Sequence, residues 1–335
     1  MNPDPQHPRR GALALRLLAL AAVAGLGAAL TFGYLGRLHF AFDSFSHLRL
    51  HFAALLLLLV PALAALRFRA EALFALALGL AAPIQTVLFP PGVEIAEAEA
   101  GRATYRLMHL NLRYDNATPE AFLSLVGRTR PDAITLTEVS EPWAARLALI
   151  EAAYPYRIVC ERPTFIGGAA ILSRRPFVEG SPPSCGNRGA FAHASVDFGG
   201  RGIEIVALHM GWPWPFEQPW QIPRLEPLLG EVGESAIIAG DLNAVPWSHA
   251  ARRLAAAADA RILRGAGPTW LDRRLPAALI GWIGLPIDNI MVKGGIVAGE
   301  PTTLEDVGSD HLPMMLEFSL APAREPVETV VANSE

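Results

Sequence analysis

Cysteine is nearly absent from this 335-residue chain, which holds two, Cys160 and Cys185. That count excludes a disulfide-stapled miniature scaffold and a cysteine-rich zinc module. No internal repeat recurs along the chain, which argues against solenoids and propellers. Lysine is missing from residues 1–100, and the rest of the chain sets 21 basic against 26 acidic side chains. A non-specific nucleic-acid binder draws its affinity from Lys and Arg on phosphates, so this balance weakens that class. It does not exclude nucleic acid as a substrate.

Apolar residues are plentiful, at 52% with a mean hydropathy of +0.30, and they are concentrated at the front. Three runs stand out, 12–36, 52–66 and 72–88, each close to the roughly 20 residues a helix needs to cross a bilayer. They predict about three transmembrane helices in a membrane anchor over 1–90. The second run is short and contains Pro61, which leaves two spans and a buried hairpin as the alternative. Arg9 and Arg10 precede the first run, Arg16 interrupts it near its start, and Arg67 and Arg69 separate the others, which puts those segments in the cytoplasm. Everything after Leu88 is then outside: in a bacterium, a multi-pass protein of the inner membrane with a periplasmic domain. His39, His47 and His51 in the outer loop have no ligand spacing and read as interfacial solvation. Residues 91–104, with Pro91 and alternating Glu and Ala, read as a linker.

Beyond the linker, short apolar runs end repeatedly in polar residues. Ile237–Pro246 reads IIAGDLNAVP: a buried strand ends at Gly240 and presents Asp241 and Asn243, two apart and so on one side of an extended chain. By itself this could be a plain Asx turn. The run YRLMHLNL ends at Asn111, AITLTE at Glu138 and the run from Ile203 at His209. Asp288 lies near the start of PIDNIMV, and Ser309-Asp310-His311 precedes a last strand from Pro313. Helices are expected at Pro119–Arg128, Glu141–Ala153 and His249–Ala257. The order fits an α+β sandwich over 105–320, with a disordered tail at 321–335. Strand ends that all carry groups able to ligate a metal or bind a phosphate converge too consistently for separate turns.

With these residues in place, 105–320 resembles the endonuclease/exonuclease/phosphatase superfamily, which includes pancreatic-type deoxyribonuclease, abasic-site endonucleases, bacterial sphingomyelinases and inositol polyphosphate 5-phosphatases. GDLN and SDH carry the resemblance together. It implies a deoxyribonuclease-like four-layer αββα sandwich with the site at one end, and membrane-anchored bacterial members are the most similar. Glu138 would be the principal ligand of Mg²⁺ or Mn²⁺, with Asn111 nearby and Asp310 contributing. Asp241 would orient or deprotonate the attacking water, Asn243 would bind a phosphoryl oxygen, and His311, oriented by Asp288, would contact the phosphate opposite the metal. His209 would be a second phosphate-binding or acid-base histidine. Many members have His where this chain has Asn289. Arg188 is a candidate substrate contact, with a surface arginine as the alternative.

The expected activity is hydrolysis of a phosphodiester by in-line attack of water. Trp212, Trp214, Phe216 and Trp220 after His209, and Trp282 before Asp288, would rim the site and could pack, stack on bases or enter a bilayer interface. Tethering favours a lipid headgroup phosphodiester at the membrane lipid bilayer. A periplasmic nucleic acid or nucleotide is the second reading and a catalytically silent scaffold the third. Cys160 and Cys185 flank neighbouring strands and could pair, but spacing does not decide it.

Overall fold

The computed structural model describes residues 7–88, 102–161 and 163–322. Most of the expected linker and the tail from residue 323 lie outside the described residues. Four helices lead: α1 (His7–Phe32), α2 (Phe40–Ser46), α3 (Arg49–Ala65) and α4 (Arg69–Pro83), the last continuing into a π-helical turn at Ile84–Leu88. Strands and helices then alternate: β1 (Tyr105–Asn111), α5 (Pro119–Thr129), β2 (Ala133–Val139), α6 (Glu141–Leu147), β3 (Tyr156–Val159), β4 (Gly168–Ser173), β5 (Ser184–Gly186), β6 (Phe191–Asp197) and β7 (Gly202–His209). After them come α7 (Gln218–Gly230), β8 (Ala236–Asp241), α8 (His249–Ala257), β9 (Arg261–Ile262), α9 (Ile280–Ile283), β10 (Asp288–Lys293), β11 (Ile296–Ala298), β12 (Thr302–Thr303) and β13 (Met314–Leu320).

The strands form two sheets. One runs β11-β13-β1-β2-β4-β3 with β12 also on β13, and the other runs β5-β6-β7-β8-β10-β9. Their inner faces meet in a core that includes Leu107, Ile171, Ile205, Ile237 and Leu316. Strands buried on both faces need helices outside them. Phe122 of α5 and Trp143 of α6 cover Leu110 and Leu136 on the first sheet, and Ile222 of α7 and Leu254 of α8 cover Val206 and Ile238 on the second. Each such side chain contributes about 1.5–3 kcal/mol relative to exposure. The result is the αββα sandwich expected from the sequence. Cys160 after β3 and Cys185 in β5 are joined by a disulfide, which ties an edge strand of one sheet to an edge strand of the other.

The front of the chain departs from expectation. Among the described residues only one helix, at Leu13–Phe32, is by itself long and apolar enough to cross a membrane. The second apolar run falls in α3, 17 residues long and bent by 60° from α2, and this pair qualifies only if it counts as one broken span. The third run is interrupted at Pro83, where the 15-residue α4 gives way to the π turn. Three crossings therefore reduce to one helix, or two segments at most, because apolar composition continued across breaks in the helices.

A second departure is α7, a helix not among those expected from the sequence, in a stretch that carries five prolines between 213 and 227. Pro219 sits in its first turn, where the missing N–H costs nothing, and Pro223 and Pro227 face solvent. Ile222, Leu225 and Leu229 meanwhile keep a helical apolar stripe buried.

Candidate active site

Pairing puts the polar strand ends side by side. The parallel pair β1 and β2 brings Asn111 next to Glu138, and the parallel pair β7 and β8 sets His209 directly opposite Asp241. The antiparallel β10 begins opposite the same point, pairing Asp288 with Asp241. Gly240 has to be glycine, since a Cβ there would lie 2.0 Å from the Leu208 carbonyl oxygen of β7. Asn111, Glu138, His209, Asp241, Asn243, Asp288 and His311 thus enter one hydrogen-bonded or electrostatic cluster at one end of the sandwich, with the half-buried Asp310 at its rim, whereas Arg188 does not join it.

Asn111 Nδ2 donates to Glu138 Oε1 (3.1 Å) and to Asp241 Oδ2 (2.9 Å), bridging the two sheets. Its Oδ1 accepts from Arg113 N at 2.8 Å. Glu138 has a φ of 57° at a register shift in the β2–β4 pairing, a strained non-glycine position of the kind stored at functional sites. The irregularity turns its carboxylate inward, where Tyr114 N donates to Oε2. His209 Nε2 lies 3.9 Å from Glu138 Oε1 and 3.8 Å from Asp241 Oδ2. Asn243, with φ 45°, donates its N to Asp241 Oδ1 (2.8 Å) and its Nδ2 to Met210 O (2.9 Å). Its second amide hydrogen is only loosely engaged, at 3.4 Å from Asp241 Oδ2. Ser309 Oγ ties the last motif down by donating to Asn111 O and accepting from His311 N.

The charges are set by burial and pairing. Burial pushes the Asp241 carboxyl up to about 7, partly offset by the charge on His311. Burial alone would lower His311, but Asp288 and Asp241 face it and hold it up at about 10. Asp288 resists burial through the His311 charge and hydrogen bonds from His109 and His311, and stays far below the usual carboxylate range. The His311 Nδ1 to Asp288 Oδ2 distance is 2.7 Å. Glu138 is raised, chiefly by burial, with Asp310 adding to it.

Asp241, Asp288 and His311 bring ligand-capable atoms within 4.8 Å of one another. All four carboxylate oxygens there are already hydrogen-bonded, to Asn111, Asn243, His109 and His311. The better cation position is beside Glu138, whose raised carboxyl faces the charge of Asp310 and would be relieved by a divalent ion. Hard oxygen donors fit such an ion. Asn111 presents nitrogen to Glu138 and would have to rotate its amide to offer oxygen. Asp310 Oδ2 accepts from Trp270 Nε1 at 3.3 Å.

Asn289 does not take the place of a histidine at the phosphate. Its Nδ2 donates to Ala244 O and Ile287 O, which pins the loop after β8. His109 went unread in the sequence: fully buried, it sits between Thr135 Oγ1 (3.1 Å) and Asp288 Oδ1 (3.2 Å). The signal was its place two residues before Asn111, on the same side of β1. Arg188 is exposed, as a surface arginine would be, yet it lines a pocket.

The histidines between α1 and the first turn of α3 are not merely solvated. His39 caps α2, and His51 Nε2 lies 3.0 Å from Ile283 O. His47 is buried, with Nε2 3.1 Å from the carbonyl oxygen of Asn243 and Nδ1 3.1 Å from Ser44 O. Asp43 accepts from His249 N and Ala250 N at the start of α8, and Ser46 O accepts from Trp247 Nε1. The segment carrying α2 therefore braces the loop that follows Asp241.

Residues 108–311 match the family described as the Endonuclease/Exonuclease/phosphatase family. Comparison with curated protein sequences gives no match. Among solved structures, an endonuclease/exonuclease/phosphatase from Bacteroides vulgatus is similar over 65% of this chain and 100% of its own, with 17% identity and a TM-score of 0.53. TDP2 from D. rerio, complexed with a single-strand DNA product, is similar over 65% of this chain and 99% of its own, with 16% identity and a TM-score of 0.52. A mutant beta toxin from Staphylococcus aureus with bound magnesium ions covers 66% of this chain and 100% of its own, at 13% identity and a TM-score of 0.50. At such identities the likeness speaks for the fold alone.

Proposed function

The chain belongs to the endonuclease/exonuclease/phosphatase family, and on that premise we propose that it is a membrane-held phosphodiesterase acting on a lipid headgroup phosphodiester. It is a hydrolase of phosphoester bonds with the divalent-metal dependence typical of its family. The observation that carries the chemistry is the single cluster in which Asn111, Glu138, His209, Asp241 and the Asp288–His311 pair meet.

Glu138, with Asp310 and Asn111, would hold the divalent ion, Mg²⁺ by preference. When bound, such an ion neutralises charge growing on the phosphoryl oxygens. Asp241, pushed to about 7, is poised to take the proton of the attacking water near neutrality. The imidazolium of His311 keeps Nδ1 on Asp288 and turns Nε2 towards Asp241, from which position it donates to the phosphate. Asn243 offers its loosely engaged amide hydrogen to a phosphoryl oxygen.

Support for a lipid comes from the rim. Trp212, Trp214, Phe216, Trp220 and Trp282 are exposed. Ser44 Oγ donates to Trp214 O, and His51 reaches Ile283 O, so both aromatic loops abut the apolar front of the chain. Indole rings suit a membrane interface. The arginine pattern and the disulfide fit a bacterial inner-membrane protein whose catalytic domain faces the periplasm. Nucleic acid is the second reading: exposed Trp can stack bases, and the D. rerio relative holds a single-strand DNA product.

The test is turnover of bis-p-nitrophenyl phosphate by the full chain in detergent. Mg²⁺-dependent release should be lost in Glu138→Ala and His311→Ala, and equal rates in all three would refute the mechanism. Vesicles of sphingomyelin or phosphatidylinositol set against single-stranded DNA then select the substrate. A periplasmic reporter fused after Glu335 should be active, and silence would overturn the orientation.

A further inference from the structure

A pocket of about 360 Å³ opens between the turn at Asn187–Arg188 and the N-terminal half of α7. Two guanidinium groups line it, Arg188 and Arg224, and neither has a hydrogen-bond or ion-pair partner among the described residues. Trp220 and Arg224 are four residues apart on α7 and so present side chains to the same side. Glu217, also in the lining, has an interaction of its own, so the wall carries one carboxylate against two guanidiniums.

Two further observations point to a ligand. Asn187 lines the pocket while its Nδ2 is buried with no hydrogen-bond partner among the described residues; no bond holds the amide where it is, and turning it into the pocket would give an otherwise costly unpaired donor something to bond. Asn187 and Arg188 also hold consecutive left-handed backbones, φ 46° and 56°, which non-glycine residues adopt only at a cost. The pocket adjoins the catalytic cluster through Gln221, which lines it while donating Nε2 to His209 O and accepting from Gly211 N.

We propose that this pocket is a second anion subsite, in which Arg188, Arg224 and the Asn187 amide bind a phosphate group of the substrate other than the one being hydrolysed, with Trp220 stacked beside it. Guanidiniums match phosphate in bidentate geometry, and an amide N–H adds a third donor. The subsite rests on the phosphodiesterase reading for its purpose, but not for its detection. A phosphorylated lipid headgroup and the next phosphate of a nucleic-acid backbone present the same chemistry.

Inorganic phosphate is the probe, titrated into the full chain in detergent with EDTA while tryptophan fluorescence is followed. The wild type should give a saturable signal that disappears in Trp220→Phe and persists in His311→Ala. Arg188→Gln and Arg224→Gln should each weaken apparent affinity by about tenfold or more. Absence of the signal in the wild type, or its survival in the double arginine variant with unchanged affinity, would overturn the proposal. Circular dichroism of each variant separates loss of the subsite from loss of the fold. Steady-state KM for pTpT against TpT, and for a phosphoinositide against phosphatidylinositol, then identifies the source: the added phosphate should lower KM in the wild type but not in the double variant. Failure to hydrolyse bis-p-nitrophenyl phosphate would count against the phosphodiesterase and leave the titration readable.

Discussion

Asp241 and His311 work in opposite protonation states, and their environments set both. Asp241 must be ionised to accept a proton, so activity should fall as pH drops through about 7. His311 must be protonated to donate, so activity should fall again as pH rises through about 10. A kcat/KM profile with limbs at these positions checks the assignment, and Asp241→Asn should lower kcat by about 10²–10⁴-fold with the fold intact. His109→Phe should cost about 1–3 kcal/mol in denaturant unfolding, because it leaves Asp288 Oδ1 buried without its partner. At this scale the sequence was most readable for residues that end strands, since Asn111, Glu138, His209 and Asp241 each follow an apolar run that predicts their direction. His109 escaped because a histidine inside such a run looks like core until the carboxylate from another strand is known.

Elements were legible where one periodicity ruled. The strand that ends at Asn111 and the helix at His249–Ala257 fall where the pattern puts them. α7 was hidden because three prolines are loop punctuation by local rules, and only the folded helix reveals that Pro219 falls in its first turn while Pro223 and Pro227 sit on the solvent side. The register shift that turns Glu138 inward is likewise a property of pairing with β4, which a single strand does not announce. The Cys160–Cys185 disulfide closes 25 residues of chain between two edge strands. Loop-closure entropy assigns it about 3 kcal/mol, so Cys160→Ser should lower unfolding free energy by about that amount, and reduction of the wild type should reproduce the loss. Asp43→Ala, which uncaps α8 at His249 N and Ala250 N, should cost about 1 kcal/mol by the same measurement.

For the whole molecule, the two-sheet sandwich and the convergence of its polar strand ends followed from the order of elements and the resemblance. The number of membrane crossings did not, because apolar composition says nothing of where a helix bends or ends: the second run lies in a 17-residue helix bent by 60° from α2, and Pro83 interrupts the third. Contacts between distant parts were equally invisible: Asp43 and His249 are 206 residues apart. Yet the front segment and the catalytic sandwich are joined by a polar seam, through His47 to Asn243, Asp43 to α8 and Ser46 to Trp247. Because both halves of that seam belong to one polypeptide, the bracing segment meets the sandwich intramolecularly, at an effective concentration fixed by the covalent connection rather than by the amount of protein present. Severing the chain between residues 89 and 101 would turn a permanent contact into a bimolecular one. The isolated sandwich would then gain catalytic competence in proportion to how much of residues 36–51 was supplied to it.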